Sequence, residues 1–211
     1  MQYKIKEIFY SVQGEGYYVG RPAVFCRFSG CNLWSGKEED RVNALCDFCD
    51  TDFYGTDGEN GGIYENAGAL AAKIVKLWPE GKNSRSKFVV CTGGEPLLQL
   101  DKTLIDALHK KDFYLAVETN GTIKSPQLDW ICVSPKEGVD LVQKRGNELK
   151  LIYPQEGSDP RKYLKYDFEH FFLQPMDGPH YMENLRRTLQ YVLDHPHWKL
   201  SLQIQKILKI K

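Results

Sequence analysis

The chain has 211 residues, 42 % of them apolar, with 28 basic side chains against 28 acidic ones. That size and apolar content fill one core, so a single domain over residues 1–211 is expected, and the balanced charge argues against nucleic acid or an anionic membrane as the main partner. The opening MQYKIKEIFYSVQGEG has no apolar run of signal-peptide length, and no run of about 18 uncharged apolar residues follows, so a soluble cytoplasmic protein is expected.

Apolar runs predict strands at 3–9 and 23–28. Residues 29–66, rich in Gly, Asp, Asn and Cys, then break the pattern for longer than an ordinary connection, which marks a functional insertion. Leu70, Ile74 and Leu77 at helical spacing predict a helix over 67–78. Further strands are predicted at 88–91, 113–117, 130–133, 149–153, 170–173 and 200–204, with helices over 100–110 and 181–193 and a loop over 135–147. Alternating strands and helices imply βα units and a largely parallel sheet, either open or curled into a full or partial barrel.

Six cysteines without a secretion signal point to metal or redox chemistry. Cys91 and Cys132 lie in apolar runs and read as small buried hydrophobes. Cys46-Asp-Phe-Cys49 is a CxxC, a pattern shared by zinc, redox and iron–sulfur sites. Cys31 extends it to Cys31-x14-Cys46-x2-Cys49, and Cys26 would complete a tetrahedral zinc set. Strand alternation sends Cys26 and Arg27 to opposite faces, whereas Cys31 follows a Ser-Gly turn. Spacing leaves iron–sulfur, zinc and a dithiol pair open. A cluster held by three thiolates keeps one iron open for a small molecule.

EIFYSVQGEG (7–16), RFSGCNLW (27–34), CDFCDT (46–51), CTGGEP (91–96) and VETNG (117–121) occur in that order. With them the chain resembles the 7-carboxy-7-deazaguanine synthases, radical S-adenosylmethionine lyases of queuosine and 7-deazapurine biosynthesis. Ser134-Pro135-Lys136, Gln174-Pro175-Met176 and LSLQIQK (200–206) extend the likeness. The wider superfamily uses a tight CxxxCxxC, so residues 34–45 read as an added excursion, and its charged run KEEDR (37–41) as a solvated face.

The resemblance implies an α/β fold, a modified, incomplete (β/α) TIM-like barrel of the radical S-adenosylmethionine type. It implies a 4Fe-4S cluster on Cys31, Cys46 and Cys49, with S-adenosylmethionine against Gly93, Gly94, Glu95, Ser134, Pro135, Lys136, Gln174, Pro175 and Met176. Magnesium is implied at Thr51. The pterin substrate is implied against Val12, Gln13, Gly14, Glu15, Arg27, Thr92 and Glu118, and no residue acts as acid or base because a deoxyadenosyl radical does the chemistry. The implied reaction is loss of ammonia and ring contraction of 6-carboxy-5,6,7,8-tetrahydropterin, with a flavodoxin-like electron donor and a homodimer. Where the family often has histidine this chain has Gln205, and the C-terminal LKIK carries no assigned role. Two rival readings are an activase for a glycyl-radical enzyme and a zinc-stabilised binding module.

Overall fold

The computed structural model describes residues 1–81 and 87–211. Its strands are β1 (Tyr3–Val12), β2 (Pro22–Phe28), β3 (Gly62–Tyr64), β4 (Phe88–Gly93), β5 (Tyr114–Thr119), β6 (Trp130–Val133), β7 (Arg145–Tyr153), β8 (Asp167–Pro175) and β9 (Lys199–Leu200). They form one sheet in the order β3-β1-β2-β4-β5-β6-β7-β8-β9. β1 pairs antiparallel with β2 and β3, and every pairing from β2 through β9 is parallel. β3 and β9 are free edges, so the sheet curls without closing: the incomplete (β/α) barrel expected from the sequence.

Three helices cover its outer face: α1 (Ala67–Leu77), α2 (Lys102–His109) and α3 (Tyr181–Asp194). Side-chain caps start the first two, Asn66 accepting from Ala69 N and Asp101 from Leu104 N, which satisfies amides that a helix leaves unpaired. Leu70, Ile74, Leu104 and Leu108 pack with Val24, Cys26, Val89 and Cys91 in the main core. Alternation then turns Phe25, Arg27, Val90, Thr92, Lys150 and Ile152 inward, to line a cavity. No helix among the described residues is long and apolar enough to cross a membrane.

Three local expectations change. β3 lies inside the 29–66 insertion, where Tyr3, Lys4 and Ile5 pair with Tyr64, Ile63 and Gly62; three residues give no readable period. The run 200–204 contributes only Leu200 to β9, and Ile204 opens a short helix, α4 (Ile204–Leu208), because Ile204 N turns to donate to Gly14 O. β7 starts at Arg145 rather than 149, since its ladder with β8 holds a polar start in register.

Candidate active site

The inner wall of the sheet, the insertion and the C-terminal tail enclose a cavity of about 440 Å³. It opens at the C-terminal ends of the parallel strands, the usual ligand face of such folds. Cys31, Cys46 and Cys49 all line it. Cys31 is set by the end of β2: Gly94 N donates to Phe28 O and Glu95 N to Gly30 O, so the Gly93-Gly94 turn runs directly alongside the residues leading to Cys31. A Cβ on Gly94 would lie 2.2 Å from Gly30 O and 2.8 Å from the Cys31 Cβ, so only glycine permits this approach.

The Cys46 and Cys49 thiols act on each other, which lowers the Cys49 thiol to about 6 despite burial and drives Cys46 upward, while burial raises Cys31. Lys136, held by Ser134 O and Oγ at 2.7 and 2.8 Å, adds a cation that favours thiolate at both Cys46 and Cys49. The donor set therefore fits a thiolate-bound group. Among the described residues no three His, Cys, Asp or Glu side chains converge on a single ion. Cysteines that each take a different iron of a cluster have no need to converge.

Cys26 is fully buried on the opposite face, paired in register with Cys91, and does not line the cavity. A four-thiol zinc set including it is not assembled. The excursion between Cys31 and Cys46 is itself folded. A 3-10 turn over Glu38–Asn43 places Arg41 above Trp34 at 4.1 Å, and Arg41 donates to the Asp47 and Cys49 carbonyls at 2.6 and 3.1 Å. Glu38, Glu39 and Asp40 are solvated as expected, but Arg41 ties the excursion to the CxxC backbone.

Deeper in the barrel lies an ionic network. Lys150 Nζ donates to Glu15 Oε2 at 2.7 Å and to Glu118 Oε2 at 2.9 Å, with its own side chain only 5 % exposed. Gln13 donates to Glu118 Oε1, and Gln203 and Gln205 donate to Glu15 Oε1. Burial pushes the Glu15 carboxyl up, but the Lys150 charge and these bonds outweigh it and hold it at about 2. Burial lowers the Lys150 ammonium, and Glu118 and Glu15 more than reverse that. Arg27 donates through Nε to Glu7 Oε1 at 2.9 Å while its side chain still reaches the cavity wall.

All the residues expected at the site line this cavity except Glu95 and Pro135. Glu95 sits fully buried behind the wall, accepting from Thr119 Oγ1, Asn120 N and Leu97 N. Asn120 donates in turn to Asn32, next to Cys31. Glu95 thus joins the glycine turn, the end of β5 and the cysteine loop. Sequence reasoning passed over Lys150, Asp50, Asn120, Gln203 and Lys206. A lysine inside the apolar run ELKLI was the one available signal. Lys206, which bridges Asp50 and Asp177, and Ile210 and Lys211 carry the tail across the cavity mouth.

An open, parallel half-barrel with a three-cysteine loop at the C-terminal ends of its strands is the architecture of the radical S-adenosylmethionine enzymes. No protein-family model matches the chain. It is 57 % identical over 211 residues to a 7-carboxy-7-deazaguanine synthase of Burkholderia multivorans and 56 % identical over 209 residues to one of Caulobacter vibrioides, covering 99 % or more of each chain in both pairs. The crystal structure of QueE from Escherichia coli matches with a TM-score of 0.67 at 28 % identity, over 96 % of this chain and 94 % of that one. The chain belongs to the 7-carboxy-7-deazaguanine synthase family.

Proposed function

We propose that the chain converts 6-carboxy-5,6,7,8-tetrahydropterin to 7-carboxy-7-deazaguanine with loss of ammonia, as a radical S-adenosylmethionine lyase of queuosine and 7-deazapurine biosynthesis. The observation that carries this reading is a single cavity that joins Cys31, Cys46 and Cys49 to Gln13, Glu15 and Glu118. The three cysteines are the proposed ligands of a 4Fe-4S cluster. Bound there, the reduced cluster with S-adenosylmethionine supplies the radical that starts the reaction.

The chain's own part is to bind, orient and exclude water. Glu15 and Glu118 offer fixed carboxylate oxygens to the N–H edge of a pterin, and Arg27 offers guanidinium N–H groups to its carboxylate. Phe9, Phe25 and Val90 make an apolar wall that keeps solvent from the reacting ring. Gly93, Gly94, Ser134, Lys136, Gln174, Pro175 and Met176 are the proposed S-adenosylmethionine contacts, with Glu95 and Pro135 holding that wall from behind. Val12, Gly14 and Thr92 complete the substrate side. Thr51 supplies one hydroxyl to magnesium, which suits an ion that keeps waters and borrows substrate oxygens.

The reading takes residues 1–211 as one domain, with 29–66 as its cluster-binding insertion. Cys26 and Cys91 lie in the outer core and Cys132 is buried beside Glu118, and none of the three lines the cavity with the proposed ligands, so the electron must come from outside, from a flavodoxin-like donor. Unpaired thiols proposed to bind iron support a reduced, cytoplasmic setting. Met182, Leu189 and Leu193 are exposed at i, i+7 and i+11 on α3, a single apolar stripe that supports a homodimer. Leu189→Glu should halve the sedimenting mass; a monomeric wild type overturns the dimer.

The decisive test reconstitutes the cluster anaerobically, reduces it, and adds S-adenosylmethionine, magnesium and the pterin. 7-Carboxy-7-deazaguanine found by mass is the expected result. 5′-Deoxyadenosine without that product would keep the radical chemistry and discard the substrate.

A further inference from the structure

Glu15 and Glu118 come from elements far apart in sequence, the turn after β1 and the end of β5, yet one ammonium touches both. Lys150 reaches them from the middle of β7, where neighbouring Leu149 and Leu151 face the outer core while Lys150 and Ile152 turn inward to the cavity, on the same face as Glu148. Around this group the other cations have different partners: Arg27 on β2 is paired with Glu7, and Lys206 on α4 with Asp50 and Asp177. Cys132 on β6 lies in register with Glu118 as a thiol whose pKa is raised by burial and then by the Glu118 charge. Glu148, two residues before Lys150 on the same strand, accepts from Tyr17 N, its Oε1 has no partner, and burial raises it to about 7. The remaining donors to Glu15 and Glu118 are the neutral amides of Gln13, Gln203 and Gln205. Among the described residues Lys150 is therefore the one full positive charge in contact with either carboxylate.

We propose that Lys150 is the positioning residue of the substrate-reading pair: its shared ammonium holds the Glu15 and Glu118 carboxylates together and aims them into the cavity, so that the site selects a heterocycle presenting a row of N–H donors. The inference deepens the pterin reading and rests on it. Two carboxylates around one cation leave one excess negative charge, which a ligand rich in N–H donors offsets and a ligand rich in acceptors does not. Without the ammonium, burial favours the neutral form of Glu15. A neutral acid keeps its proton where the ligand needs an acceptor.

The test is calorimetric binding of 6-carboxy-5,6,7,8-tetrahydropterin to anaerobic, unreduced protein, so that no turnover enters. Wild type, Lys150→Met and Lys150→Arg are compared at pH 6, 7 and 8. Lys150→Met should bind at least about tenfold more weakly than wild type at pH 6, the loss expected when burial lifts a carboxyl to about one unit above that pH, and recover part of that loss by pH 8. Lys150→Arg, which keeps the charge, should keep the wild-type pH profile. Equal binding by Lys150→Met at every pH, or a loss identical at pH 6 and pH 8, overturns the proposal. If Lys150→Met does not fold, Lys150→Arg decides alone: an acid-side loss of binding in that variant overturns the proposal, and the wild-type profile upholds it. Failure of the wild type itself to bind the pterin condemns the substrate reading instead.

Discussion

Alanine at Cys31, Cys46 or Cys49 should abolish both iron binding and product formation, whereas Cys26→Ala should leave iron and acid-labile sulfide at wild-type levels. The contrast is large because the four thiols divide cleanly between the two faces of β2 and the loop beyond it. Cys26 points into the outer core beside Cys91, and burial raises its thiol far above the usual range. It has no thiolate to offer and no path to the cavity. Its replacement by alanine removes one small buried group, at a cost of about 1 kcal/mol. The other three line the cavity, and Lys136 biases two of them toward the thiolate that iron requires. Removing any one leaves two ligands. Iron, zinc and sulfide are measured on anaerobically prepared protein, with product by mass. Stoichiometric zinc without sulfide, lost equally in Cys26→Ala, would sink the cluster and revive a structural metal.

How far the sequence revealed this site depended on what each residue does beside its neighbours. Cysteines grouped within a polar insertion and two glycines directly after an apolar strand are costly choices for ordinary structure, so they stood out. The parallel strands were legible for the same reason, as short apolar runs between helical periods. Lys150 was hidden because a strand buried on both faces shows no clear alternation, and one lysine in ELKLI is the only irregularity. Gln203 is hidden because 200–204 reads as a strand, and Gln205 stands out only as a departure from the family's histidine. Their side chains reach Glu15 because the chain leaves β9 after two residues and turns toward Gly14. Arg41 belongs to a charged run that composition assigns to solvent, and only the fold of the excursion brings it over Trp34. Glu95 was legible as a site residue from its motif, but its burial behind Thr119 and Asn120 depends on how β4 and β5 lie side by side.

Glu15→Gln should uncouple the two halves of the reaction: deoxyadenosine formation from S-adenosylmethionine persists, while 7-carboxy-7-deazaguanine falls by about a hundredfold. The carboxamide keeps the shape of the side chain and removes its charge, so Gln203, Gln205 and Lys150 face a weaker acceptor. Loss of a charge-assisted hydrogen bond at a buried site costs about 1.5–3 kcal/mol, roughly ten- to a hundredfold in kcat/KM. The same substitution changes stability, with a sign set by the depressed acid. Glu15 falls from its ordinary 4.5 to about 2 in the folded chain. Its contribution is therefore complete above about pH 4.5 and is lost as pH falls through about 2. That depression corresponds to about 3 kcal/mol at neutral pH. Glu15→Gln should accordingly unfold at lower denaturant than wild type at pH 7 and show a flatter acid limb. The two readouts separate its roles. Lower stability with unchanged product would make Glu15 a structural partner of Lys150 alone. Loss of product at conditions where both proteins remain folded, with deoxyadenosine still forming, ties the carboxylate to recognition of the pterin. Loss of deoxyadenosine as well would place Glu15 on the cofactor side of the cavity.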